Sequence, residues 1–367
     1  MDDKKLKEIF CNKIDLHAHF LSPSYYEYLK KYEEPRPDNF DIPYWSEEKH
    51  IKQMDQLGVK FSFISISTPN LSRADDETER EYVRKINEEG AAFVSKYPDR
   101  IGLMAELPLP NINNSLEEAK YVLEVLGAYG FSLKTHYRGK YLGNEEFKPL
   151  MEFLNMRKAV VVVHPTKPYN HYEEVNEDLP IPAFEYFVET TRTFTNMVLK
   201  DIFNRYPDIK WVFPHAGSFV SILSDRFDSF SVIMKLRNSN QKTDFFGAMK
   251  HVYFDLAGFS LPKQIQILKQ DVPIGNMLYG SDTPYTPGIA TLTLAGALEQ
   301  TNQFTESEKN MIFTQNAIKL FPGLVDILDV NEPVNGLNKK NSQARWKWIR
   351  KRITSIYLRI QKMRLQR

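Results

Sequence analysis

The sequence predicts an α/β fold of the (β/α)8 TIM-barrel type, with an insertion after the first strand and a basic helix at the C-terminal end. Short β-rich runs alternate with segments of helical periodicity, which is typical of repeated βα units. Histidine or aspartate stands at the C-terminal end of several runs, where such barrels place their active sites. A doubly wound open sheet is the alternative, but no Gly-x-Gly-x-x-Gly turn follows the first run.

The strands are predicted, in chain order, at residues 14–17, 61–67, 101–106, 131–135, 160–164, 211–214, 252–255 and 277–280. The segments between them carry signals for helix boundaries. Ser115 with Glu118 and Thr305 with Glu308 have the spacing of a capping box. In this motif the two side chains accept hydrogen bonds from the free backbone amides at the start of a helix. Gly58 predicts the end of a helix, because glycine readily adopts the left-handed conformation found there.

The composition excludes several classes of protein. The 367-residue chain has a net charge of +1, so no strong field favours nucleic acid. Its single cysteine, Cys11, excludes an internal disulfide and a cysteine-based zinc site. Residues 1–10 are charged and contain no apolar stretch, so we expect no secretory signal and a cytoplasmic protein. No apolar run approaches the roughly 20 residues needed to cross a bilayer.

The charge is distributed unevenly along the chain. We predict a barrel domain at residues 1–330, a polar linker at 331–338 and a basic amphipathic helix at 339–367. The last segment contains eleven Lys or Arg and no Asp or Glu, so the preceding chain is acidic. Its apolar seam consists of Trp346, Ile349, Ile353, Ile356, Ile360 and Met363. Such a helix could dock on the acidic barrel, pair with a second chain, or contact an anionic membrane surface peripherally.

Two histidines end the first predicted strand. His17 and His19 are two residues apart, so their side chains point to the same face, with Cα atoms about 6.6 Å apart. Two imidazoles at this distance can bind one metal ion. Alone the motif is weak, because a histidine at a strand end is often only a hydrogen-bonded core residue.

Three further polar residues follow later strands. His164 ends the fifth, His215 follows the sixth and Asp282 follows the eighth, all at the face where TIM barrels hold their active sites. Individually each could be a core histidine or a turn cap. Together with the histidine pair they predict a mononuclear site of nitrogen and oxygen ligands, which suits Zn²⁺, with Mn²⁺ or Fe²⁺ as alternatives.

These residues lie in motifs that resemble the amidohydrolase superfamily, and within it the branch of aminocarboxymuconate semialdehyde decarboxylase and related decarboxylases. The matching segments are residues 15–19, 54–59, 163–165, 189–191, 214–217, 280–285 and 316–317. The resemblance implies that one divalent ion is held by His17, His19, His164 and Asp282. It also implies that His215 activates metal-bound water, so that His215 and Asp282 are the catalytic residues.

The resemblance also bears on the substrate and the assembly. Arg226 matches an arginine that binds a substrate carboxylate across a subunit interface, which implies a homodimer. In the loop after the first strand, the muconate decarboxylase has a second carboxylate-binding arginine, whereas this chain has the aromatic segment 40–45, with Arg36 the nearest arginine. The aromatic residues of this insertion either line a pocket for a flat hydroxyaromatic acid or cover the barrel rim. They are Tyr25, Tyr26, Tyr28, Tyr44 and Trp45.

Lys134 and His136 alternate at the end of the fourth predicted strand. Binuclear amidohydrolases place a carboxylated lysine there, which bridges two metal ions. A Lys134 that faces the substrate or forms an ion pair is the alternative, and we predict that Lys134 and His136 contribute to substrate binding.

These observations predict a metal-dependent decarboxylase of a small unsaturated or hydroxyaromatic carboxylic acid, with a small-molecule carboxylate as its partner. The same residues could hydrolyse an amide, a lactone or a related bond, since a metal-activated water serves both reactions. A barrel without metal that only presents the basic tail is a third alternative. The presence of all five polar site residues argues against it.

Overall fold

The computed structural model describes residues 12–171, 175, 179–237 and 243–328. Eight parallel strands form one sheet in which each strand pairs with the next in the sequence. They are β1 Lys13–His19, β2 Val59–Ser65, β3 Ile101–Ala105, β4 Gly130–Lys134, β5 Val160–His164, β6 Lys210–Phe213, β7 Tyr253–Asp255 and β8 Met277–Leu278. This order and the helices between the strands confirm the predicted TIM barrel.

The segment that follows β8 closes the barrel against β1. The Leu16 amide donates to the Tyr279 carbonyl at 3.0 Å, and the His19 amide donates to the Thr283 carbonyl at 2.7 Å. The Asp282 amide donates to the His17 carbonyl at 2.7 Å. Backbone hydrogen bonds therefore hold the histidine pair beside Asp282.

The described helices are Pro23–Tyr32, Glu47–Leu57, Asp76–Lys96, Ile112–Glu124, Lys148–Met156, Glu185–Leu199, Ile202–Arg205, Ser224–Arg237, Phe245–His251, Lys263–Asp271, Gly288–Gln300, Glu306–Asn310, Asn316–Leu320 and Leu324–Ile327. Gly58 ends one of them in the left-handed conformation, and Thr305 forms the predicted capping box with Glu308. The prediction at Ser115 was wrong. Asn111 caps that helix one turn earlier, and the Ser115 hydroxyl donates to the Asn111 carbonyl at 2.7 Å.

The interior of the barrel is apolar near the amino ends of the strands and polar near their carboxyl ends. Ile14 and Leu16 of β1 pack in the apolar part with side chains of the other strands. The register of β1 against β2 shifts between Asp15 and Ala18. His17 lies within this irregular segment and His19 just after it, and their rings lie side by side in the site. Such an irregularity re-aims side chains at strand ends. A second apolar cluster packs the helices around the barrel.

The chain between β1 and β2 contains the helices Pro23–Tyr32 and Glu47–Leu57 and a short turn at Pro37–Asn39. The predicted linker 331–338, the basic helix 339–367 and Cys11 lie outside the described residues. Within the described part of the chain, we find no helix that combines the length and the apolar character needed to span a bilayer.

Candidate metal centre and its pocket

Four of the predicted site residues converge where the carboxyl ends of the barrel strands meet. His17 and His19 come from β1, His164 ends β5, and Asp282 follows β8. One ligand atom from each lies within 4.8 Å of the others. The three histidines are buried, and 18% of the Asp282 side chain is exposed. The cluster is therefore a candidate site for one divalent metal ion.

The partner of Nδ1 in each histidine shows that the other ring nitrogen, Nε2, is the one that can bind a metal. Nδ1 of His17 lies 3.0 Å from the Asp255 carboxylate, Nδ1 of His19 lies 3.3 Å from the Ser65 carbonyl, and Nδ1 of His164 lies 2.8 Å from the Pro165 carbonyl. These oxygens accept protons, so we assign each Nδ1 as the donor and leave a lone pair on each Nε2. Metal-binding histidines are usually fixed by such partners.

The Nε2 atoms then face one another and a carboxylate. His17 Nε2 and His19 Nε2 are 3.1 Å apart, and they lie 3.5 and 3.4 Å from Asp282 Oδ1. Lone pairs and a negative charge at these distances repel one another unless a cation lies between them. The donor set therefore fits a divalent metal ion.

The charges around the cluster support the same conclusion. Burial disfavours a charged His17, but nearby carboxylates, Asp255 foremost, outweigh it and raise the pKa of His17 to about 9. Burial, together with the positive charge on His17, lowers the pKa of His19 to about 4. Although burial alone would raise it, the surrounding histidines hold the pKa of Asp282 well below its usual range. Without a metal ion, a proton on His17 Nε2 therefore supplies the positive charge that the carboxylates attract, and a divalent ion would take the place of that proton.

Asp255, which ends β7 and is fully buried, was not among the predicted site residues. One oxygen of its carboxylate contacts His17 Nδ1, and the other accepts the His215 amide at 3.2 Å and the Ala257 amide at 3.0 Å. Asp255 therefore fixes both a candidate ligand and the start of the His215 loop. Its position at a strand end could have identified it.

His215 stands beside the cluster and outside it. Its Nε2 lies 3.8 Å from Asp282 Oδ2, whereas its Nδ1 is buried with no hydrogen-bond partner among the described residues. The ring stacks on Phe187, with centroids 5.7 Å apart and an interplanar angle of 19°. The structure thus places His215 next to the four clustered residues, facing the pocket.

A cavity of about 660 Å³ opens from this cluster. At its inner end lie His164, His215 and Asp282. Its walls include the flat side chains of Tyr186, Phe187, Phe259 and Tyr285, together with several prolines and aliphatic residues. The volume and the apolar lining suit a small aromatic ligand.

Three predicted substrate-binding residues do not line this cavity. Lys134 is sealed inside the barrel, where its Nζ lies 2.6 Å from Glu106 Oε2. His136 Nε2 lies 3.0 Å from the Lys167 carbonyl. Arg226 lies on the surface of helix Ser224–Arg237, with its guanidinium carbon 5.2 Å from the Phe230 ring centroid.

The five aromatic residues proposed for the insertion do not form the pocket either. Tyr25 and Tyr28 are fully buried, and the Tyr25 hydroxyl donates to the Pro69 carbonyl at 2.7 Å. Trp45 packs against Phe93, and Tyr44 is 69% exposed. The pocket-lining interpretation is therefore wrong for this set, because none of the five lines the cavity. Other residues of the insertion, including Asp38 and Phe40, line the cavity instead.

The chain is similar to several known proteins. A model of the amidohydrolase family matches residues 14–323. The chain is 33% identical over 324 residues to decarboxylase yanB of Aspergillus niger, covering 85% of this chain and 88% of the relative. It is 32% identical over 322 residues to 6-methylsalicylic acid decarboxylase of Penicillium expansum, covering 86% and 98%.

Solved structures share the fold. The crystal structure of an amidohydrolase II has a TM-score of 0.80 and 34% identity, with 84% of this chain and 99% of that chain covered. A dihydroxybenzoic acid decarboxylase from Polaromonas sp. JS666, solved with bound manganese, has a TM-score of 0.73 and 19% identity, covering 85% and 97%. The matched region contains every residue of the cluster and His215. The chain therefore belongs to the amidohydrolase family.

Proposed function

We propose that this protein is a metal-dependent carboxy-lyase that removes carbon dioxide from a hydroxyaromatic carboxylic acid. The observation that carries the proposal is the flat-walled aromatic cavity, which ends at His215 and at two residues of the candidate metal centre, His164 and Asp282. The reaction type is supported by the relatives of similar length, which are decarboxylases, one of them named for 6-methylsalicylic acid. Such an acid is flat and carries one carboxylate and one hydroxyl.

His17, His19, His164 and Asp282 would hold the ion, since their donor atoms converge and their other polar atoms are already bonded. A divalent cation there would supply positive charge that binds the substrate carboxylate and stabilises developing negative charge. A set of three nitrogens and one oxygen suits Zn²⁺, and Mn²⁺ or Fe²⁺ are alternatives.

The reaction needs one proton at a defined carbon. A proton adds to the ring carbon that bears the carboxylate, the bond to the carboxylate carbon breaks, and its electrons restore the aromatic ring as carbon dioxide leaves. We assign His215 to hold and deliver this proton, because its Nε2 faces the pocket beside Asp282. Asp282 positions the His215 ring, and Phe187 packs on its face.

The aromatic walls have two further roles. Phe187 and Tyr186 hold a flat acid beside His215 and keep water away from the transferred proton. Hydrolysis of an amide or lactone would use the same polar residues. The decarboxylase relatives and the aromatic side chains that line the cavity favour the carboxy-lyase over that alternative.

We further propose that Arg226 acts from a second copy of the chain. It is exposed on helix Ser224–Arg237, beside the exposed apolar residues Phe230, Ile233 and Leu236. An apolar face of this kind is suited to a homodimer contact. Mixing Arg226→Ala chains with His215→Asn chains should then restore part of the turnover. Verified heterodimers without recovery would exclude a shared site.

The central test supplies the purified chain, loaded separately with Zn²⁺, Mn²⁺ or Fe²⁺, with hydroxybenzoates, unsaturated carboxylic acids and lactones. Carbon dioxide release and ester hydrolysis are measured separately. We expect carbon dioxide from at least one hydroxybenzoate. His215→Asn is the matched control: it should keep the metal but lose turnover by about 10²-fold or more. Hydrolysis without carbon dioxide would replace the proposal with the hydrolase.

A further inference from the structure

Asp38 is a buried carboxylate that the proposed reaction does not use. It lies in the turn Pro37–Asn39 of the insertion between β1 and β2, is 8% exposed, and lines the cavity. Its φ is 61° and that of Asn39 is 54°, so two successive non-glycine residues adopt the left-handed conformation. Backbone conformations of this kind are costly and are concentrated at ligand-binding sites.

The hydrogen bonds of Asp38 leave one oxygen available. Oδ2 accepts the Tyr186 hydroxyl at 2.7 Å and the Thr68 hydroxyl at 3.3 Å. Within the described part of the chain, no donor reaches Oδ1. The Asp38 carboxylate is thus fixed in orientation by two donors and can accept a further hydrogen bond from a ligand.

Asp38 and the candidate metal centre belong to one continuous site. Tyr186, whose hydroxyl is bound to Asp38, places its ring edge-on to His164, with centroids 6.3 Å apart. Thr68, the other donor, follows Ser67, whose hydroxyl lies 3.5 Å from His164 Nε2. A ligand anchored at the metal centre therefore extends along Tyr186 towards Asp38.

The charge of this part of the cavity is unusual for a site that binds acids. Among the described residues, no Lys or Arg lines the cavity. Apart from Asp38 and the metal-centre residues with His215, its polar side chains carry only hydroxyls: Ser67, Thr68, Tyr186, Tyr285 and Thr286. Burial raises the pKa of Asp38, and the Tyr186 hydroxyl, Lys167 and Thr68 oppose that shift. A second substrate carboxylate would meet a carboxylate here and be repelled, whereas a hydroxyl would find an acceptor.

We propose that Asp38 is a specificity-determining residue that accepts a hydrogen bond from a second ring hydroxyl of the substrate and rejects acids with a second carboxylate. This inference rests on the proposed decarboxylase function and narrows its substrate class to monocarboxylic acids with a polyhydroxylated ring. A buried polar group that is built to pair with a substrate hydroxyl discriminates strongly, because it is left unpaired by the analogue that lacks the hydroxyl.

The test uses the metal-loaded protein and a matched series of 2-hydroxybenzoates that carry hydrogen, hydroxyl or carboxylate at ring position 4 or 5. We expect the hydroxyl compound to be the best substrate by kcat/KM and the dicarboxylate the worst. Asp38→Asn should lower kcat/KM for the hydroxyl compound by about 10- to 100-fold, the scale of a hydrogen bond to a charged group. The hydrogen compound should change little, and the dicarboxylate should improve.

Glu33→Gln is the matched control. Glu33 is a buried carboxylate of the same insertion that contacts Arg73 and does not line the cavity. It should leave the preference within the series unchanged. If Asp38→Asn lowers kcat/KM equally for all three compounds, Asp38 only supports the insertion and the proposal is wrong. If Asp38→Asn fails to fold, Tyr186→Phe provides a second variant that keeps the carboxylate but removes the donor that fixes its orientation. It should reduce the preference for the hydroxyl compound over the hydrogen compound, and an unchanged preference would argue against the Asp38 site.

Failure of the proposed function has a different signature. If the wild-type protein releases no carbon dioxide from any compound, dissociation constants for the same series, measured by calorimetry, replace kcat/KM. A preference for the hydroxyl compound that Asp38→Asn removes would then support the Asp38 site although the reaction is wrong. Equal affinity of the wild type for the hydrogen and hydroxyl compounds would overturn it.

Discussion

Two groups of buried charges lie in the barrel interior, and they differ in how they are neutralised. Lys134 has a complete set of partners: Glu106 Oε2 at 2.6 Å, the Ile66 carbonyl at 3.3 Å and the Ser132 hydroxyl at 3.3 Å. The metal-centre cluster instead brings ring nitrogens of three histidines and the Asp282 carboxylate within 4.8 Å of one another. Lys134 needs nothing from outside the chain, whereas the cluster needs a cation.

The difference separates a structural charge from a functional one, although both were predicted from the ends of strands. A fully paired buried charge belongs to the fold, because removing one partner leaves the other buried and unpaired. Donor atoms that converge on one point without a hydrogen-bond donor of the chain between them are instead retained for what they bind. Three variants test this comparison.

The largest effect is expected for His17→Ala. Removing one of four ligands should empty the site, and turnover should fall by about 10³-fold or more, because the ion contributes several kcal/mol to the transition state. The metal-free protein should also unfold more easily, because Asp255 loses the His17 ring as its buried partner, so the metal content is the readout that identifies the site. Elemental analysis and chemical denaturation in the presence of a chelator measure both. An unchanged metal content would contradict the proposed site.

Lys134→Met should lower stability without loss of the metal. It leaves Glu106 buried with only the Tyr137 hydroxyl, 3.4 Å away, so the unfolding free energy should fall by about 3 to 5 kcal/mol. The folded fraction should keep one metal ion per chain. The double variant Lys134→Met with Glu106→Gln should recover part of the stability. Loss of metal from the folded single variant would revive the binuclear interpretation.

The sequence predicted the barrel and the positions of the candidate ligands because both follow local rules. Strands alternate with helices, and the carboxyl ends of parallel strands meet at one face, so His17, His164 and Asp282 could be placed together without knowledge of packing. Asp255 obeys the same rule at the end of β7. A lone carboxylate after a strand gives a weak signal, and its role is apparent only from its 3.0 Å contact with His17.

The insertion could not be resolved in the same way. Aromatic side chains that line a pocket and those that cover a rim have the same composition, and only tertiary packing shows that Tyr25 is buried while Phe40 lines the cavity. Asp38 reaches the cavity through a left-handed turn and through partners more than 25 residues away in sequence, Thr68 and Tyr186. No periodicity predicts such a contact.

The smallest of the three effects is expected for Asp255→Asn, which preserves the shape of the residue but removes its charge. The Asn side chain can still accept a hydrogen bond from His17 Nδ1. Without the negative charge, however, it no longer makes the lone pair of His17 Nε2 a stronger ligand for a cation. Loss of such a supporting partner typically weakens metal affinity by about 10- to 100-fold. Titration against a competing chelator should therefore show weaker metal binding than in the wild type, with full occupancy at high metal concentration.

Turnover of the fully loaded Asp255→Asn variant should recover far more than that of His17→Ala. Equal metal affinity in Asp255→Asn and wild type would show that the carboxylate only supports the His215 backbone, and would return it to the class of fully paired structural charges that Lys134 represents.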